Sequence, residues 1–274
     1  PLLMPTTNSD VQVASISLQL NGQTRYLQTS PEFAMKRLLA AGSDSIFQIS
    51  RAFRDGEKGR RHNCEFSLLE WYRVGFDYGL LMDEIELLIT SVSHRDCIFT
   101  HLSYRQLFQQ YLQLDIESAS LQQLRDSSAD LADASDASAL DFDECLDLLL
   151  GVVIAPQMRG YQFVYDYPIS QAALARPCAD NPDYAERFEL FYDGLELANG
   201  FSELTDAGQQ RQRFQKDNRR RAALGLPQHA LDENLLAALQ SGLPECAGVA
   251  LGLDRLLMVL LDLDSIEQTL SFVD

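Results

Sequence analysis

The sequence predicts an α+β fold: a mainly antiparallel sheet flanked by helices, with a helical insertion. Three observations predict it. Apolar and polar residues alternate near both ends of the chain, at 47–72 and at 186–204, which is the period of strands. The segment between them, 78–154, carries helical spacing. No linker and no internal repeat divides the 274 residues, so 1–274 reads as a single domain. Hydrophobic content of 46% supports a packed core.

The elements follow in order. In residues 1–28, Ile16, Leu18 and Leu20 alternate up to an Asn21-Gly22 turn, and Tyr26-Leu27-Gln28 returns. Thr29-Ser30-Pro31-Glu32 is a helix start, where Glu32 reads first as a capping carboxylate. The helix runs from Phe33 to Ala41 with Phe33, Leu38 and Leu39 as apolar anchors. Residues 47–72 read strand, charged loop, strand. Phe47, Ile49, Arg51 and Phe53 share one side of the first strand, and Cys64, Phe66, Leu68, Glu70 and Tyr72 one side of the second. Arg54, Arg60 and Arg61 in the loop stand out in an acidic chain. Fixed cations beside an aromatic ring suit a nucleotide, whose base stacks while arginine forks grip phosphate. An ordinary hairpin with a solvated loop fits the spacing equally well.

Tyr78 to Ser91 reads as a helix with Leu81, Ile85, Leu88 and Val92 inward. Residues 101–150 hold two or three more, with the small, acidic stretch 127–141 read as a mobile surface loop. Asp141 to Ile154 is an apolar helix whose acidic start suits the helix dipole. Tyr161 to Tyr167 is a strand ended by Pro168. In 186–204, Arg187, Glu189 and Phe191 alternate, and both Asp193-Gly194 and Asn199-Gly200 are tight-turn signals. If Asn199-Gly200 makes a two-residue hairpin, Glu196 faces Glu203. Two glutamates so placed repel by up to about 1 kcal/mol. A divalent cation removes that penalty, and magnesium (Mg2+) suits a site of few carboxylates completed by water and phosphate. The other reading is a solvated acidic edge. Thr205 to Leu224 is a charged helix whose QKDNRRR run reads as a solvated face, and Leu231 to Gln240 is a further helix. Last comes GVALGLDR at 248–255: glycines on a strand allow close approach, and Arg255 at the next helix start can reach a phosphate. The spacing is neither a dinucleotide fingerprint nor a P-loop.

Composition excludes some classes. A net charge of −18 repels phosphate backbones and argues against broad nucleic-acid binding. Five scattered cysteines without a CxxC pair argue against a disulfide framework and a zinc site. No apolar run reaches membrane-spanning length. The four histidines form no acid–base constellation. The first residue is proline, so upstream sequence is expected to be missing.

The run FRxxE…RHNxEF…LEWY, from Phe53 to Tyr72, resembles motif 2 of class II aminoacyl-tRNA synthetases, nearest the lysyl branch. GVALGLDR resembles motif 3, YLQTSPEFAMKRLL the amino-acid-contacting segment, and GLELANGFSELTDA the metal-binding stretch. These come in the family's order and cover nearly the whole chain. The resemblance implies the class II antiparallel sheet, ATP and Mg2+, and aminoacyl-adenylate chemistry. By position, Arg54 resembles the α-phosphate arginine and Arg255 the γ-phosphate arginine. Phe66 resembles the adenine-stacking ring. Asn63 and His62 are nearby contacts, Gly252 lets ATP sit close, and Leu197 belongs to the same ATP set. Glu196 and Glu203 look like the metal carboxylates. Ser30, Glu32, Glu70 and Tyr72, with Glu203 and Ala250, would hold a lysine-like substrate.

Nothing here resembles an anticodon-binding domain. QKDNRRRAALGLPQH and GVALG are similar to the freestanding lysyl-synthetase paralogues that attach β-lysine to a lysine of elongation factor P. The tRNA-charging relatives carry glycine where this chain has Ala250, and a methyl group there favours an amine displaced to the β-carbon. The resemblance thus implies lysine or β-lysine and elongation factor P as substrates, no tRNA, a homodimer and a cytoplasmic setting. The alternatives are a truncated lysine–tRNA ligase and a catalytically silent binding protein. Two departures bear on them. Motif 2 runs Arg54-Asp55-Gly56-Glu57 rather than Arg-x-Glu, so Glu57 or Asp55 must replace the usual glutamate at Gly56. Cys64 stands where proline is usual.

Overall fold

A computed structural model describes residues 1–94, 96–129, 131 and 138–273. In chain order the strands and helices begin with β1 (Leu3–Met4), β2 (Ser17–Leu20), β3 (Gln23–Leu27) and α1 (Glu32–Ala40). Next come β4 (Ile46–Phe53), β5 (Glu65–Val74), α2 (Tyr78–Ser93), β6 (Phe99–Ser103), α3 (Tyr104–Leu112), α4 (Leu121–Ser128) and α5 (Phe142–Leu148). The rest are β7 (Tyr161–Pro168), β8 (Tyr184–Tyr192), β9 (Leu195–Ser202), α6 (Ala207–Ala223), α7 (Glu233–Gly242), β10 (Cys246–Gly252) and α8 (Leu253–Leu260). The fold is α+β, and the chain forms two compact units: residues 1–81 with 200–274, and residues 82–199.

In the first unit, β4 and β10 flank β5, both antiparallel to it. The register sets Ala250 and Gln48 opposite Glu70, and Gly248 and Ile46 opposite Tyr72. A small sheet in the order β1-β3-β2 precedes them, its hairpin closed by Asn21 and Gly22 at φ 51° and 75°. Such left-handed residues match the twist of flanking strands, as the Asn-Gly signal predicts. On β4, Ala52 is buried while Phe47 and Ile49 are exposed. α1 packs Phe33 against Phe214 of α6, ring centroids 5.8 Å apart. It turns Leu38 to solvent and Lys36 inward, opposite to the apolar pattern, because Lys36 finds carboxylate partners.

The second unit supplies the expected helical insertion. β6 pairs parallel with β7, and β7 antiparallel with β8. Tyr104, Leu107, Phe108, Leu124, Leu146 and Ile154 lie at the centre of its core. Ser103, Ser120 and Asp141 cap α3, α4 and α5 with reciprocal capping boxes, which satisfy otherwise orphaned amides. α5 continues into a π-helical turn, Leu149–Ile154. Along α2, Leu81, Met82, Ile85 and Ile89 are buried, whereas Val92 is exposed. The predicted stripe drifts at its end because Ile89 follows Leu81 and Ile85 at four-residue steps. The middle of the stretch 127–141, expected to be a surface loop, lies outside the described residues.

One sequence expectation fails here. Asn199-Gly200 does not turn; both residues sit inside β9. The reversal occurs at Asp193-Gly194, with φ 46° and 73°, and Asn199 accepts a hydrogen bond from Arg187 Nε at 3.2 Å. The facing of Glu196 and Glu203 across a hairpin therefore does not form.

Candidate active site

β5 carries the centre of the site. Period-two geometry puts Phe66, Leu68, Glu70 and Tyr72 on one face, and Leu68, Glu70 and Tyr72 are buried. The Tyr72 hydroxyl donates to Glu70 Oε1 at 2.8 Å. Ser30 Oγ accepts from the Glu32 amide at 3.0 Å and its hydroxyl also bonds Glu70. Glu32 is the acidic residue of the first turn of α1, as the helix start implies, and its Oε1 also pairs with Lys36 Nζ, 2.7 Å away. Lys36 makes a second ion pair with Glu203, which is itself 1% exposed.

Ser30, Glu32, Glu70, Tyr72 and Glu203 are thus brought together in one polar cluster, and Lys36 is a member that sequence reasoning missed. Glu203 Oε1 and Glu70 Oε2 are buried without a hydrogen-bond partner. Leaving such atoms unpaired is costly, so they point to a donor-rich ligand. Burial, aided by Glu32, pushes the Glu70 carboxyl up to about 8, against the pull of Tyr72, Ser30 and Lys36. Burial also works against the Lys36 ammonium, yet Glu203 and Glu32 together hold it more firmly charged than an ordinary lysine.

β10 forms another part of the pocket. Ala250 is half-buried on the face it shares with Glu70. Gly248, one of the strand glycines expected to allow close approach, has no room for a side chain: a Cβ there would lie 2.3 Å from Tyr72 Cε1 and 2.5 Å from Glu203 Oε1. Only glycine leaves both in place.

The arginine loop lies at the start of β5. Arg54 sits over the Phe66 ring, 5.1 Å from its centroid, and its Nη1 is 3.6 Å from Glu57 Oε1. Glu57 is therefore the carboxylate beside Arg54. Asp55 is used locally, accepting from the Gly56 amide at 2.9 Å. Gly56 itself has φ 74°, a left-handed position that suits glycine over the usual glutamate. Arg60 is bound to Asp264, with its Nη2 2.9 Å from Oδ1, so it is not a free phosphate ligand. Arg255, in the first turn of α8, donates from Nε to the Arg61 carbonyl at 3.3 Å, and Asp254 accepts from the Ser67 amide at 2.6 Å. The first bond ties α8 to the loop and the second ties it to β5. Asn63 donates to the Glu65 carbonyl at 2.7 Å, His62 is exposed, and Gly252 is the residue before α8.

Glu196 is in the second unit, on β9. Glu189, on β8, is pushed up to about 7 by burial and by Glu196, while Arg187 opposes the shift. Glu189 is itself paired with Arg187, whose Nη2 lies 2.5 Å from Glu189 Oε1. Among the described residues no group of three or more His, Cys, Asp or Glu could hold a metal. Glu203, bound to Lys36, belongs to the amine pocket on this geometry. The signal for Glu189 was present in the sequence, as a glutamate alternating on the strand before Asp193-Gly194. The Leu197 side chain is buried, which leaves its backbone for any ligand contact.

Residues 1–274 match the family described as tRNA synthetases class II (D, K and N). The chain is similar to a Photorhabdus laumondii protein named elongation factor P–(R)-beta-lysine ligase, 46% identical over an aligned length of 283 that covers 99% of this chain and 86% of that one. Proteins of the same name from Salmonella paratyphi B and Salmonella dublin are each 49% identical over 256 residues, 92% of this chain and 78% of theirs.

Proposed function

The chain belongs to the class II tRNA synthetase family (D, K and N), and on that premise we propose that it is an ATP-dependent ligase that activates lysine or β-lysine and transfers it to a lysine side chain of elongation factor P. One observation carries the substrate class: Glu32, Glu70 and Glu203 converge with Tyr72 in a buried pocket that has unpaired acceptor oxygens. Such acceptors suit ammonium groups. Ala250 on the same face supports an amine displaced to the β-carbon.

The reaction runs in two steps. The substrate carboxylate attacks the ATP α-phosphate, forming the acyl-adenylate and releasing pyrophosphate. Arg54 faces the charge that develops at that phosphate, Phe66 stacks the adenine, and Arg255 binds the far phosphate. By the resemblance, Glu196 would help hold a magnesium ion, which neutralises phosphate charge when bound. No protein nucleophile is required, because alignment supplies much of the rate. The neutral ε-amine of the acceptor lysine then attacks the acyl carbonyl, forming an amide, expelling AMP and losing a proton to solvent.

Residues 1–274 are read as one catalytic domain, acting as a cytoplasmic homodimer on a protein rather than on tRNA. Among the described residues no helix is long and apolar enough to cross a membrane. The test is amino-acid-dependent ATP–pyrophosphate exchange with lysine and both β-lysine enantiomers, followed by intact-mass measurement of elongation factor P. Exchange with β-lysine and a matching mass gain are expected. Exchange with lysine alone and charging of tRNA would overturn the proposal in favour of a tRNA ligase. No exchange by the folded chain would favour a silent binding protein.

A further inference from the structure

The chain has three lysines. Lys58 and Lys216 are exposed, whereas Lys36 is 1% exposed. Its ammonium lies 2.7 Å from Glu32 Oε1, is paired with Glu203, and stands 5.1 Å from the centroid of the Phe201 ring. A buried lysine usually serves only to satisfy a structural carboxylate. Here the surroundings differ from that case. Lys36 ties together two acidic residues, and the pocket still has unpaired oxygens on Glu203 and Glu70.

We propose that Lys36 is the positioning residue of the amine pocket: it tethers Glu32 and Glu203 so that their remaining oxygens, with Glu70, face the two ammonium groups of a diamino acid. This rests on the substrate class proposed above. Charge matching follows from the same geometry. Once a substrate ammonium has displaced the Glu70 proton, the three pocket carboxylates and one internal ammonium leave a formal charge of minus two. Lysine and β-lysine each bring two ammonium groups. A monoamino acid of equal length leaves a buried carboxylate unbalanced, which is costly. Without the tether, Glu32 and Glu203 repel each other and lose their common aim.

The experiment is ATP–pyrophosphate exchange by Lys36→Met beside the wild type, with lysine and both β-lysine enantiomers. The KM for the accepted diamino acid is expected to rise about tenfold or more, while the KM for ATP stays within about twofold. An unchanged amino-acid KM, or a parallel rise in both constants, overturns the inference. A wild-type chain that activates no diamino acid instead removes the substrate class on which it rests. Should Lys36→Met fail to fold, nitrogen-15 labelling of the lysine Nζ atoms in the wild type serves the same end. The solvent-protected ammonium signal should shift when the accepted diamino acid saturates the protein. A signal that stays put under saturation overturns the inference.

Discussion

Two pocket residues make opposite demands on their surroundings. Gly248 must remain without a side chain. Gly248→Ala is expected to cost about 1–3 kcal/mol by overpacking and to raise the amino-acid KM, as denaturant unfolding and exchange kinetics would report. Glu70 must be able to give up a proton. Its carboxyl holds that proton up to about 8 in the folded chain, against 4.5 for an ordinary glutamate, first because it is buried. Between those values the native state binds more protons than the unfolded one, so the contribution of Glu70 to stability is greatest below 4.5 and declines as pH rises through about 8. A substrate ammonium favours the carboxylate. The KM should therefore fall as pH rises towards 8, and Glu70→Gln should make log KM against pH less steep by about one proton. The face that holds Glu70 and Tyr72 was legible in the sequence, because strand alternation is a local rule. The inward turn of Lys36 was not, since apolar periodicity assigns a charged residue to solvent. Its four-residue spacing from Glu32 was the available hint.

At the scale of elements, the β8–β9 hairpin shows what a turn signal can and cannot decide. Asp193-Gly194 and Asn199-Gly200 look alike in sequence, and backbone geometry separates them. Gly194 has φ 73°, whereas Gly200 continues the strand. A methyl group on Gly194 would fall 2.0 Å from the Ala155 carbonyl oxygen. Gly194→Ala adds that clash to a left-handed backbone and should destabilise the chain by about 3 kcal/mol, seen as a lower Tm. The misread turn also removes the hairpin facing by which the spacing paired Glu196 with Glu203. Glu189 lies on the preceding strand, and only the location of the true reversal shows that its carboxyl is the one Glu196 acts on. The arginine loop was better marked, since Arg54 and Phe66 flank it in sequence as in space. The choice between Asp55 and Glu57 needed side-chain geometry.

For the whole molecule, the dominant physical fact is charge: 40 acidic against 22 basic residues. Self-repulsion of that size opposes compaction and is screened by salt. The Tm should rise as monovalent salt increases from about 10 to about 150 mM, which differential scanning calorimetry would detect. The α+β class was legible at this scale because strand and helix periods occupy separate stretches of the chain. The parallel pairing of β6 with β7 was not, since alternation carries no strand direction.

The exposure of its lysines has a further chemical consequence. An acyl-adenylate is an activated anhydride that acylates any accessible neutral amine, including those of the protein that made it. With Lys36 sealed from solvent, only Lys58 and Lys216 present side-chain amines to that reagent. Incubation with ATP and the activated amino acid, without an acceptor protein, should confine lysine acylation to those two positions in a peptide mass map. Nineteen arginines, inert to acylation at neutral pH, supply the rest of the positive charge. The chain thus keeps the cations it needs for binding phosphate while offering its own reactive product few places to be wasted.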